Sequence, residues 1–233
     1  MQSLLKKQII VFLVFLVVLI IGAAALVVYR NMEPKPIEQP IVEENPKYEV
    51  IGQSVQGRNI ESYTYGTGEK HLLFVGGIHG GYEWNSVLLA YQVMDHLKAN
   101  PDAVPKNVSV TIIPSVNPDG VYKIIGKEGR FAITDVPNKD ASSGRFNANN
   151  VDLNRNFDCN WKPTGTWRSK TVSAGTSAFS EPEARVLRDF ILEQKPNAVV
   201  LWHSQANAVY GSECNNGILP ETLSIMNTYA KAA

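Results

Sequence analysis

The chain lacks an excess of either charge, since 22 lysines and arginines meet 22 aspartates and glutamates for a formal net charge of zero. A polyanion such as nucleic acid is therefore not an expected partner, and long-range steering of a charged ligand is not a theme. Cysteine is scarce too, with only Cys159 and Cys214, so a structural zinc closed by several thiolates has too few donors here. No internal repeat is visible.

One long apolar run is present. Residues 9–29 contain no charged side chain and are long enough to cross a bilayer as a helix. Lys6 and Lys7 precede the run and only Arg30 follows closely. The positive-inside rule then keeps the short N-terminus in the cytoplasm and sends the remainder outside. A cleaved leader competes with this reading, because Ala23, Ala24 and Ala25 offer small residues, but its apolar region is normally shorter. Residues 1–30 accordingly read as a cytoplasmic stub and an uncleaved membrane anchor. Residues 31–46 hold Pro34, Pro36, Pro40 and Pro46 among charged side chains, the composition of a semi-extended spacer. Residues 47–233 then form one domain on the extracytoplasmic side. Both cysteines lie there, where disulfides persist, and they are expected to pair. Two buried free thiols are the alternative if the orientation is reversed.

Within that domain, residues 61–65 alternate in the manner of a strand, and Gly66-Thr67-Gly68 separates them from the apolar run 72–75. The two read as neighbouring strands. Apolar residues from Val87 to Leu97 fall on a helical period that Pro101 ends, and residues 108–113 read as a buried strand. Ser180, Pro182 and Glu183 announce a second helix, with Ser180 as cap and Glu183 closing a capping box. A strand at 198–202 follows, and a further helix from Pro220. This order predicts an α/β fold with a mixed, mostly parallel sheet and helices on both faces. The connection over residues 117–179 is too long to be idle. Asn117-Pro118-Asp119-Gly120 reads as a turn without a catalytic role, and Trp84, Trp161, Trp167 and Trp202 read as packing or pocket walls.

His79 and Glu83 stand where the run 72–75 gives way to a helix, and His203 ends the run 198–202. Open α/β sheets gather their ligands at such strand ends. Two imidazoles and a carboxylate suit one catalytic Zn²⁺ with a fourth position left open. A lone histidine ending a strand is more often a satisfied structural residue, and only the other motifs reverse that reading for His203.

Five stretches carry a resemblance: residues 51–58 (Ile-Gly-Gln-Ser-Val-Gln-Gly-Arg), Gly77-Ile78-His79-Gly80, Asn117-Pro118-Asp119-Gly120, residues 151–157 (Val-Asp-Leu-Asn-Arg-Asn-Phe) and His203-Ser204. In order and approximate separation they resemble the zinc carboxypeptidase family, often called M14, from residue 47 to about residue 211. The resemblance implies a zinc-peptidase/phosphorylase-like fold with His79, Glu83 and His203 on zinc. It implies that Asp152 orients His79, that Arg145 polarises the scissile carbonyl, and that Asn154 and Arg155 hold the C-terminal carboxylate of a peptide. A carboxylate accepting from the far nitrogen of a ligating imidazole, and a guanidinium fork on a carboxylate, are chemically apt for those roles.

Two departures from the family pattern matter. The family usually separates the zinc histidine and glutamate by two residues, whereas Gly80, Gly81 and Tyr82 intervene here; a glycine bulge is the expected remedy. The family's general base is a glutamate on a strand well downstream of the last zinc histidine. After His203 only Glu213 and Glu221 remain, neither in a matching context, so the C-terminal part of the fold and the base are expected to be missing. The expected function is that of a membrane-tethered zinc metallocarboxypeptidase removing C-terminal residues from peptides, including cell-wall peptides, and weakly active as this chain stands. A non-hydrolytic module that binds a peptide carboxylate, and a deacylase of the aspartoacylase type, are the alternatives.

Overall fold

The computed structural model describes residues 46–205, 207–214 and 217–232, with Leu16, Leu19, Ala23 and Leu26 standing alone before them. Those four positions are helical and exposed; the rest of the expected anchor over residues 9–29, and the spacer as far as residue 45, lie outside the described residues. Among the described residues no helix is long and apolar enough to cross a membrane. The chain divides into two units, Met1–Glu43 and Glu44–Ala233, and the second holds every candidate site residue.

Its elements are β1 (Lys47–Gln53), β2 (Asn59–Tyr65), β3 (Lys70–Val75), α1 (Trp84–Ala99), β4 (Val108–Ile113), α2 (Pro118–Ile125), β5 (Thr164–Trp167), β6 (Lys170–Ser173), α3 (Pro182–Gln194), β7 (Ala198–Leu201) and α4 (Pro220–Ala232). The main sheet has the order β1-β2-β4-β3-β7, and β5-β6 form a separate hairpin. β2 and β3 are thus not neighbours as expected, because β4 lies between them. Helix α1 carries the chain back so that β4 runs parallel to β3, with Leu73 opposite Thr111, and the free edge of β4 takes β2 antiparallel, with Tyr63 opposite Ile112. The last four residues of β4 are buried, as a strand covered on both faces requires.

The sheet is evenly mixed rather than mostly parallel: β1 and β2 pair antiparallel with each other and β2 with β4, while β3 pairs parallel with β4 and β7. The short Ser54–Gly57 turn decides this locally, with Gly57 N donating to Ser54 O at 2.9 Å, since only antiparallel strands can be joined so briefly. Helices cover both faces. Val87, Ala90 and Met94 of α1 and Val121 and Ile124 of α2 pack with Ile112 on one side; Leu187 and Phe190 of α3 pack with Leu73, Ile113 and Leu153 on the other. Of the apolar positions read on the first helix, Val87, Tyr91 and Met94 are buried, whereas Leu89 is exposed.

Three local expectations fail. Ser180 does not cap α3: the N-cap is Glu181, without a side-chain bond, and the Ser180 hydroxyl donates instead to Glu181 Oε1 at 2.8 Å. Glu183 closes no capping box, because its buried carboxylate accepts from Val55 N and from Asn147 Nδ2, each at 3.1 Å. Asn117 begins a helix rather than a plain turn. Its Oδ1 accepts from Gly120 N at 2.8 Å, Pro118 occupies the first turn, and Gly126 ends the helix at φ 76°, a conformation that glycine adopts without a steric penalty.

Candidate metal centre

β3 and β7 end side by side, with Val75 opposite Leu201, and the residues that leave those ends converge. His79 lies four residues beyond β3, and a 3₁₀ turn over Gly80–Glu83 follows. This turn, not a bulge, absorbs the extra residue. Gly80 takes φ 45°, and Glu83 N donates to His79 O at 3.4 Å, so the Glu83 side chain folds back until Oε1 lies 2.8 Å from His79 Nδ1. The approach is crowded: a Cβ on Gly80 would stand 2.6 Å from Gly144 O, and one on Gly81 would stand 2.6 Å from Gly120 O. Three segments therefore meet through glycine.

His203 leaves β7 two residues after its end, and its Nδ1 lies 3.0 Å from Glu83 Oε2. One donor atom from each of His79, Glu83 and His203 lies within 4.8 Å of the others. His79 and Glu83 are buried and His203 is exposed, so the cluster opens on one side. Behind it, His79 Nε2 is 3.2 Å from Asp152 Oδ1. The other oxygen of Asp152 accepts from Arg145 Nε at 3.0 Å and Nη2 at 2.8 Å. Arg145, 5% exposed, also brings Nη1 to 3.9 Å from Glu83 Oε1.

Charge in this buried chain is strongly biased. Burial alone would lower the His79 pKa, but the hydrogen bonds to Asp152 and Glu83 outweigh it and raise the value. Burial alone would raise Glu83, yet the bonds to His203 and His79 hold its carboxyl down at about 2. Burial likewise opposes ionisation of Asp152, and His79 and Arg145 together lower it. The two carboxylates stay ionised and the two imidazoles face them, an arrangement suited to a cation.

Asn154 and Arg155 lie in the 3₁₀ turn Leu153–Arg155, which Asp152 starts by accepting from Asn154 N at 3.1 Å. Among the described residues neither side chain makes a hydrogen bond within the protein. Arg155 is exposed and lies along β5, where a Cβ on Gly165 would be 3.0 Å from its Cδ and Nε. Cys159 and Cys214 form a disulfide, with Cα atoms 5.4 Å apart, linking the segment after Arg155 to the segment after His203. Glu213 and Glu221 are exposed and neither belongs to the metal-ligand cluster.

Sequence reading missed three contributors. Asn117 Nδ2 donates to Arg145 O at 3.3 Å, so the Asn-Pro-Asp-Gly motif holds Arg145. Asp119 of that motif binds the turn of residues 51–58, accepting from Ser54 Oγ at 2.7 Å and Arg58 Nη1 at 2.8 Å. The β5–β6 hairpin brings Trp167 edge-on to Tyr82 at 5.2 Å and within 4.9 Å of the Arg145 guanidinium. Two β-rich tetrads flanking Arg168-Ser169 were the available signal for that hairpin.

A family model described as "Zinc carboxypeptidase" matches residues 41–233. The chain belongs to the zinc carboxypeptidase family. It is 29% identical over 160 residues to carboxypeptidase B of Astacus astacus, covering 65% of this chain and 51% of that protein. It is 23% identical over 182 residues to gamma-D-glutamyl-L-diamino acid endopeptidase 1 of Lysinibacillus sphaericus, covering 69% of this chain and 46% of that protein. Among solved structures, the carboxypeptidase A of Helicoverpa armigera matches with a TM-score of 0.63 at 25% identity, over 81% of this chain and 49% of that one. The murein-tripeptide amidase of Escherichia coli O157 matches with a TM-score of 0.52 at 25% identity, over 73% of this chain and 67% of that one. The chain spans about half the length of the first two relatives.

Proposed function

We propose that the protein is a zinc metallocarboxypeptidase whose ion is held by His79, Glu83 and His203. The observation that carries the reading is the approach of their donor atoms to within 4.8 Å at the ends of adjacent parallel strands. The donor set fits zinc, with two imidazole nitrogens, one carboxylate and no thiolate. When bound, Zn²⁺ supplies the Lewis acidity that polarises a carbonyl and activates water. Asp152 keeps the His79 proton on Nε2 and so turns Nδ1 inward as a ligand. Arg145, clamped by Asp152, stabilises negative charge developing on the carbonyl oxygen. Asn154 and Arg155, with no partner inside the protein among the described residues, receive the terminal carboxylate of the peptide.

Both carboxylates of the centre are already engaged, and Glu213 and Glu221 stand outside it. Cell-wall peptides are the proposed substrate class, supported by the names of the endopeptidase and amidase relatives. The disulfide supports an oxidising, extracytoplasmic location, and residues 9–29 support a membrane tether.

The test is a pair of peptides differing only in a free or amidated C-terminus, titrated into the zinc-loaded protein. The free acid should bind about tenfold or more tightly than the amide, and Arg155→Ala should abolish the difference. Equal binding of acid and amide would contradict the assignment.

A further inference from the structure

The hairpin of β5 and β6 runs through the candidate site and carries groups that neither the metal centre nor the carboxylate site uses. Its base is fixed to the centre itself, because Asp152 N donates to Ser173 O at 2.9 Å and Val172 is buried. Its tip is the two-residue turn Arg168-Ser169, with φ 47° and 61°, the backbone of a tight hairpin whose strands keep their twist. Trp167 is held there by Tyr82 at 5.2 Å and Phe146 at 5.9 Å, both edge-on. The tip has little freedom to move away from the site.

Three guanidinium groups lie against this hairpin, and two of them, Arg145 and Arg168, share the rings of Trp167 and Tyr82. Arg155 lies against Gly165, Arg145 stands 4.9 Å from the Trp167 ring, and Arg168 stands 5.2 Å from the same ring and 5.5 Å from Tyr82. Arg145 is paired with Asp152. Arg168 is exposed and forms no ion pair or hydrogen bond among the described residues. The carboxylate of Asp140 is hydrogen-bonded by the Ser142 backbone N–H and hydroxyl and attracts both Arg168 and Lys170 without an ion-pair contact to Arg168. A cation stacked on aromatic rings, with its N–H groups left over, is ready to receive an anion.

The order along the hairpin gives the anion its place. Successive residues of an extended peptide advance by about 3.3 Å, as do those of the strand beside it. If Arg155 at Gly165 takes the terminal carboxylate and Arg145 beside Trp167 the scissile carbonyl, Arg168, in the turn that follows Trp167, faces the residues on the amino side of the scissile bond. We infer that Arg168 is a specificity-determining residue that selects peptides with a carboxylate on the amino side of the bond to be cut, the Trp167 ring serving as its support. The inference rests on the carboxypeptidase reading of Arg155 and Arg145 and adds the substrate class.

The experiment titrates acetyl-Ala-Glu-Ala-Leu and acetyl-Ala-Gln-Ala-Leu into the zinc-loaded full chain, with quenching of tryptophan fluorescence and calorimetry as readouts, so that no turnover is needed. The glutamate peptide should bind about two- to fivefold more tightly at low salt, the range of an exposed ion pair, and the preference should fade at high ionic strength. Arg168→Ala should equalise the two peptides and leave the glutamine peptide unchanged, whereas Arg155→Ala should weaken both alike. Equal affinities in the wild-type protein, or a preference that survives Arg168→Ala, would overturn the role of Arg168 while leaving the carboxypeptidase reading in place. Binding of neither peptide would overturn both.

Discussion

At the scale of single residues the centre depends on who accepts from whom. Asp152 divides its two oxygens between His79 and Arg145, so Asp152→Asn should disturb both at once. Zinc affinity is expected to fall about 10- to 100-fold, measured by competition with a chromophoric chelator, and an unchanged affinity would mean that Asp152 serves Arg145 alone. Glu183 provides a second residue-scale test, away from the metal. Burial raises its carboxyl above the usual value of 4.5 against the bonds from Val55 and Asn147. The folded protein therefore keeps this proton longer than the unfolded chain. Its contribution to stability is full below about pH 4.5 and is lost as pH rises through the raised folded value. In thermal unfolding between pH 4.5 and 8 the wild type should lose stability relative to Glu183→Gln as pH rises, and a difference independent of pH would refute the assignment. The convergence of His79, Glu83 and His203 was legible in the sequence because all three stand at or just beyond the ends of apolar runs that read as strands. Asn117 and Glu183 were not, since their partners, Arg145 and Asn147, are remote in sequence and meet them only through the fold.

At the scale of elements, the centre is backed by a meeting of two short 3₁₀ turns, Gly80–Glu83 and Ser142–Arg145, with the first turn of α2, where the contacts are made through glycine. A Cβ on Gly120 would strike Gly144 O, closer than real side chains come, whereas one on Gly126 would meet nothing within 4 Å. Gly120→Ala should destabilise the protein by about 1–3 kcal/mol through backbone displacement, and it should loosen zinc binding because the turn carrying Arg145 must shift. Gly126→Ala meets only the strain of its positive φ, about 1 kcal/mol, and should leave zinc affinity unchanged. Urea unfolding with zinc titration separates the two, and equal effects would show that the glycine junction does not set the centre. α1 was legible by its helical period and β2 by its alternation, and β3, β4 and β7 as apolar runs, whereas α2 and the β5–β6 hairpin carry no such pattern. The place of β4 between β2 and β3 was not legible, because periodicity records that a strand is buried and says nothing of its neighbours. The Ser180 cap failed for a related reason: Ser180, which accepts from Asn156 Nδ2 at 3.0 Å, and Glu183 are engaged by partners remote in sequence in preference to the helix end.

For the domain as a whole, the disulfide spans 55 residues that include α3, β7 and His203. Cys159→Ser with Cys214→Ser should lower stability by about 2–4 kcal/mol, measured by chemical denaturation, and an unchanged midpoint would show that the enclosed segment is held by packing alone. The turn that supplies His79 and Glu83 and the β7 end that supplies His203 follow adjacent strands of one sheet, so the candidate metal centre and the fold should respond together. Metal analysis of the folded protein tests this most directly, with equilibrium dialysis against Zn²⁺ for the wild type, His79→Ala and His203→Ala, each checked for native circular dichroism. The expected result is close to one zinc per chain in the wild type and a loss of tight binding in both folded variants. Full zinc retention by the two variants would contradict a centre built from His79, Glu83 and His203.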